Sequence, residues 1–337
     1  MRNKHSLSFF AVTTVVCVLA GCRKEKPESS SAVEPELIPV NVPYFYSDSA
    51  YHYISMQVGF GPRIPNSVPH RRCADYLVKK FMDFGAEVAV QEFTRVAYDG
   101  QELGLKNIIV SFDPQKPRNI LLAAHWDTRP IADKDSINPS RPFDGANDGA
   151  SGVGVLLEIA RVLSRNPRPN SGIDIILFDG EDFGEPEFGN ETREAEDGST
   201  WWCLGSQYWS KNPHEKNYSA YYGVLLDMVG AKNARFYKEG ISVQYAKKIT
   251  DRTWSLASAA GFGEYFINAT SPAITDDHIF INRDAHIPTI SIVDYDPGRE
   301  DSYFPRYHHT HQDNMEIIDK KTLHAVGQTV LNLIYAD

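Results

Sequence analysis

A chain of 337 residues accommodates one large domain or two small ones, and 42% apolar side chains suffice for a sizeable core. A net charge of −10, with no basic stripe interleaved with aromatics, argues against nucleic acid as a partner, because phosphate binding needs clustered Lys and Arg.

The N-terminus carries a basic head of Arg2, Lys4 and His5, then an apolar run over 7–20. That run is short for a membrane span and suited to a signal-peptide core. It ends in Leu19-Ala20-Gly21-Cys22, which resembles the lipobox of bacterial lipoproteins, whose cysteine is lipidated and becomes the first mature residue. An uncleaved anchor or an ordinary signal peptide is the alternative. The expected organisation is a signal peptide over 1–21, a Lys-, Glu-, Ser- and Pro-rich tether over 22–42, and a folded domain over 43–337. Cys22 would then fix an exported protein to the bacterial cell envelope, periplasmic or at the surface, touching the membrane through its lipid alone. Cys73 and Cys203 remain, either paired or as two buried thiols, with no catalytic role.

Apolar periodicity then predicts a helix over 71–84, strands over 107–112 and 119–125, a helix over 152–163, and strands over 173–179 and 222–228. A helix over 242–260, a strand over 289–294 and a helix over 321–335 complete the pattern. Continuous apolar strands alternating with amphipathic helices predict a single α/β domain, with a central mixed, mostly parallel sheet flanked by helices.

Acids and histidines fall at the carboxyl ends of those strands, the edge where open α/β sheets bind ligands. So many acids at one edge call for a cation or a reaction. Asp148, Asp182, His125 and His309 offer the oxygen and nitrogen ligands that zinc takes, although spacing alone leaves the metal open.

Ala124-His125-Trp126-Asp127, Gly145-Ala146-Asn147-Asp148-Gly149, Phe178-Asp179-Gly180-Glu181-Asp182, Leu226-Asp227-Met228 and His309-Thr310 stand in that order along the chain. They resemble the ordered motifs of the M28 family of zinc aminopeptidases and glutaminyl cyclases, from about Arg63 onward. The aminopeptidase branch implies two metals on His125, Asp148, Asp182, Asp227 and His309, with Glu181 as base. The cyclase branch implies one zinc on Asp148, Asp182 and His309, Glu181 as acid and base, and a hydrogen-bonded pair of acids at Asp227 and Asp276. Asp276-Asp277-His278-Ile279, Arg63-Ile64-Pro65-Asn66-Ser67 and the segment around Asp227 resemble the cyclases more.

Three departures from animal cyclases bear on pocket detail: Asp182 stands where Glu is common, His308 replaces an aromatic, and their central disulfide has no counterpart. The resemblance implies cyclisation of N-terminal glutamine on peptides or proteins to pyroglutamate, with release of ammonia. The alternatives are a two-zinc aminopeptidase, an inactive metal-dependent scaffold, and a solute-binding lipoprotein. His125 is expected as a second-metal ligand or a support, with His278 a support. Trp201, Trp202 and Phe304 are candidate walls of the glutamine pocket. Without the resemblance Asp227 reads as a strand-end cap, and Asp276 and Asp277 as a turn or helix cap. The acidic stretch over 185–197 reads as a solvated loop.

Overall fold

Four strands run parallel and form the centre of the sheet: β3 (Asn119–His125), β4 (Gly172–Phe178), β5 (Gly223–Asp227) and β8 (Thr289–Val293). Each is buried along essentially its whole length, which explains why they read as continuous apolar runs. Two antiparallel strands extend the β4 side, β1 (Glu87–Val96) at the rim and β2 (Glu102–Phe112) inside it. The order is β1-β2-β4-β3-β5-β8, and a small parallel pair, β6 (Phe236–Lys238) and β7 (Phe266–Thr270), stands apart. The computed structural model describes residues 41–186, 200–300 and 302–337, which form one compact unit.

Side chains alternate across the sheet, so Leu122 and Ala124 face one layer while Leu121 and Ala123 face the other. The larger layer holds α1 (Ser47–Val58), α2 (Val68–Asp83), α3 (Ala150–Arg165), α5 (Gly240–Ala259) and α7 (Lys320–Tyr335). The smaller holds α4 (Leu204–Lys211) and α6 (Asp277–Arg283), through Trp209 and Ile281. The expected α/β domain, with a mixed sheet between helical layers, is what forms. Helix α2 begins at Val68 rather than 71 because Ser67 caps it, its Oγ accepting from His70 N at 3.1 Å, with a proline in the first turn.

Helix α3 presses against the sheet where it has no side chain: a Cβ on Gly152 would lie 2.3 Å from the Leu226 carbonyl. Gly149, just before α3, takes φ 87, and a Cβ there would meet the Asp127 carbonyl at 2.7 Å and His125 at 3.1 Å. Glycine at 149 thus brings the loop carrying Asp148 against the end of β3. Among the described residues no helix is long and apolar enough to cross a membrane. The expected leader, Cys22 and most of the acidic stretch over 185–197 lie outside the described residues.

Candidate metal centre and acid cluster

Strand ends deliver the charged groups, and a framework of buried hydrogen bonds fixes them. His125 ends β3 and Asp227 ends β5, while Glu181 and Asp182 follow β4 by a short turn. Asp127 joins the ends of β3 and β4, its carboxylate accepting from the backbone N–H of Glu181 at 3.1 Å and of Asp182 at 3.2 Å. Asp313 does the same for the Asp148 loop, accepting from Asn147 N at 2.6 Å and Asp148 N at 2.9 Å. The buried Arg63 guanidinium donates to the carbonyls of Asp144 and Gly145 in that loop.

Asp148 is the meeting point. Its Oδ1 lies 3.1 Å from His125 Nε2, and its Oδ2 lies 3.6 Å from His309 Nε2. His309 Nε2 also stands 3.1 Å from Asp182 Oδ1, and His125 Nε2 stands 3.3 Å from Asp227 Oδ1. The structure therefore brings together all three expected zinc ligands, with His125 and Asp227 on the far side of Asp148. His308 joins the first group: its ligand atom and those of Asp148 and His309 lie within 4.8 Å of one another.

The residues fit a cation. Asp148 Oδ2 and Asp182 Oδ1 are buried and lack a hydrogen-bond partner. Buried carboxylate oxygens are seldom left so unless an ion satisfies them. Nitrogen and oxygen donors suit zinc.

Behind the ligands lie partners that no motif announces. Asp133 Oδ1 is 3.4 Å from His309 Nδ1. Arg129 grips Asp133 through two contacts at 2.8 and 2.7 Å, donates to the Asp182 carbonyl, and offers its backbone N–H to Asp182 Oδ2 at 2.9 Å. Burial disfavours charge on His309, but Asp182 and Asp133 outweigh it and raise its pKa. Burial also opposes charge on His125, where Asp127, Asp148 and Asp227 together hold the imidazole well above its ordinary range. His308 Nε2 lies 3.8 Å from Asp148 Oδ2, yet burial, with the adjacent His309 and Lys134, pushes its pKa well below the ordinary range.

Glu181 is half-buried, with Asp276 and Asp277 from the start of α6 near it. Burial raises its carboxyl well above the usual range; His125 opposes the shift, while Asp277, Asp182 and Asp276 add to it. Burial likewise lifts Asp227 to about 7 against the pull of His125. Asp276 caps α6, accepting from Asp277 N at 2.6 Å and from Ser291 Oγ at 3.1 Å. The helix-cap reading and the site reading of Asp276 are thus compatible. No hydrogen bond joins Asp227 to Asp276 among the described residues; Asp227 is turned to His125. His278 stands behind Asp276, its Nδ1 3.7 Å from Oδ2, with Nε2 on Glu239 at 2.9 Å.

Trp202 and Phe304 flank the histidines. The Trp202 ring lies parallel to His309 at 5.9 Å, packed on Gly184 and under the Arg129 guanidinium. Phe304 meets His308 at 4.2 Å. Trp201 is half-buried and makes no ring contact among the described residues. Cys73 and Cys203 are free thiols: Cys73 sits in the large core, and Cys203 beside Glu181.

The profile described as Peptidase family M28 matches residues 107–334. A solved structure of Bacteroides thetaiotaomicron glutaminyl cyclase is 52% identical over 88% of this chain and 100% of its own, with a TM-score of 0.84. Another from that organism, described as a leucine aminopeptidase precursor, is 51% identical over 89% of this chain and 100% of its own, with a TM-score of 0.83. The glutaminyl-peptide cyclotransferase of Drosophila melanogaster is 25% identical over 284 residues, 77% of this chain and 73% of its own.

Proposed function

The chain belongs to peptidase family M28, and on that premise we propose that it is a zinc-dependent glutaminyl-peptide cyclotransferase. It would convert the N-terminal glutamine of peptides or proteins to pyroglutamate and release ammonia. The observation that carries this reading is the buried Asp276, placed with Asp227 and Glu181 beside the metal-binding residues. A peptidase that activates water has no evident use for that extra acid, whereas cyclisation must hold and protonate a departing amide nitrogen. The resemblance to glutaminyl cyclases at about half identity supports the same branch.

A zinc ion on Asp148, Asp182 and His309 would supply a Lewis acid for the side-chain amide carbonyl of the substrate. Glu181 takes a proton from the α-amine as nitrogen bonds to the amide carbon, then gives it to the nitrogen that leaves as ammonia. Asp227 and Asp276 accept from the amide N–H groups and orient them. Trp202 and Phe304 wall the pocket, with Trp201 at its margin. Both reacting groups belong to one residue, so the site needs to orient the ring closure and keep water out.

One ion rather than two follows from the cyclase reading and not from spacing, because the ligand atoms of His125, Asp148 and Asp227 also lie within 4.8 Å of one another. The aminopeptidase reading would instead place a second ion there. Export and lipidation at Cys22, with 22–42 as tether, are part of the proposal and rest on the lipobox-like segment.

The test is ammonia release from a glutamine-initiated peptide. Glu181→Gln is expected to lower turnover roughly 10²- to 10⁴-fold with zinc content unchanged, and Asp276→Asn to lower it as well. Full ammonia release by Asp276→Asn would remove the observation on which the cyclase reading stands.

A further inference from the structure

The thiol of Cys203 touches the acid assigned to move the proton. Its Sγ lies 3.2 Å from Glu181 Oε1, at a position with no solvent exposure. The other carboxylate oxygen, Oε2, lies 4.0 Å from His125 Nδ1.

Backbone geometry aims the thiol. Cys203 N donates to the Glu181 carbonyl at 2.9 Å and Leu204 N to the Gly180 carbonyl at 3.1 Å, so the start of α4 is laced to the turn carrying Glu181. Cys203 takes left-handed backbone, φ 59, a conformation that favours glycine. Gln207 N and Ser206 Oγ both donate to its carbonyl, at 3.0 and 3.1 Å, and help hold that conformation. A side chain is therefore kept at a backbone position that glycine would fill with less strain, and that side chain ends on Glu181. Burial, with Glu181 and the neighbouring acids, pushes the thiol well above its usual range, so it stays an S–H donor rather than a thiolate nucleophile.

We propose that Cys203 is a positioning residue for Glu181: its S–H holds Oε1 and keeps Oε2 directed toward His125. This rests on Glu181 being the proton shuttle. A glutamate has three side-chain torsions, and without a partner its half-buried carboxylate would sample other rotamers. Loss of the thiol should lower kcat and spare KM, because the substrate is gripped by other groups.

Cys203→Ala, Cys203→Gly and Cys203→Ser are compared in the full chain, each checked for zinc content and Tm. The glycine variant removes the donor while suiting the left-handed backbone, so it serves if the alanine variant fails to fold. Alanine and glycine are expected to lower kcat roughly three- to tenfold with KM little changed, and serine, which restores a donor, to recover most of the loss. In a Glu181→Gln background, Cys203→Ala should add no further loss. Wild-type kcat in the alanine or glycine variant, serine as impaired as alanine, or an undiminished effect in the Glu181→Gln background would overturn the proposal. If Glu181→Gln itself kept full turnover, the shuttle assignment would fall, a result distinct from failure of the Cys203 proposal alone.

Discussion

Asp133 faces Nδ1 of His309 at 3.4 Å, on the side of the imidazole away from Asp182 and Asp148. The contact is an ion pair rather than a hydrogen bond, and a carboxylate on that side of the ring would orient the imidazole and strengthen Nε2 as a ligand. Arg129 holds Asp133 in place, and burial of the pair prevents water from substituting for it.

Asp133→Ala should therefore weaken zinc binding by roughly 10- to 100-fold. Competition with a chromophoric chelator would measure it, and turnover should recover in part when zinc is in excess. Unchanged zinc affinity would show that His309 needs no support from behind.

Trp202 owes its position to the lack of a side chain at 184. A Cβ on Gly184 would fall 2.0 Å from the indole, so Gly184→Ala must push the ring away from His309. The expected result is a three- to tenfold loss of kcat/KM, about the worth of one aromatic contact, with zinc content intact. Trp202→Ala should match it. Normal kinetics in both would remove Trp202 from the pocket.

Acidity at the centre sets a pH dependence for the metal-free chain. Burial raises Asp294 to about 6 and Asp313 to about 7, and Asp227 lies near 7 as well. Unfolded, these groups titrate near 4. Between those values the folded chain holds protons that the unfolded chain has released, so stability falls as pH rises from about 4 toward 7. His125 and His309, held above their ordinary value, act in the same direction as pH passes through their folded pKa values. His308 and His214, pushed down, oppose this below the ordinary histidine range. At lower pH the depressed Glu239, near 2, contributes stability that is lost as pH falls. Denaturant titration of the zinc-free chain should give stability lower at pH 8 than at pH 5, with a smaller slope in Asp313→Asn. Stability rising over that range would contradict the assignment of these buried acids.

The parallel strands were legible because burial on both faces leaves an uninterrupted apolar run, as in β4 and β8. Strand β1 was not, since most of its residues are partly or fully exposed and its sequence mixes Glu, Gln and Arg with Val. Helix α6 hid behind Asp276-Asp277-His278: its few residues are too short for a period, and its cap doubles as a site residue. Among site residues, those beside a strand end could be read from the sequence, as with His125, Glu181 and Asp227. Asp133, Arg129 and Asp313 lie in loops, and tertiary folding alone brings them behind the ligands. Cys203 has no neighbour in sequence that suggests chemistry; its partner, Glu181, is 22 residues away.

The central claim is tested most directly by incubating the purified chain, with zinc, with two peptides, one beginning with glutamine and one with leucine, and weighing the products. The account predicts that the glutamine peptide loses one ammonia and keeps every residue, that the leucine peptide is unchanged, and that a chelator abolishes the conversion. Release of a free amino-terminal residue from either peptide would contradict it and would call for a second metal ion between His125, Asp148 and Asp227.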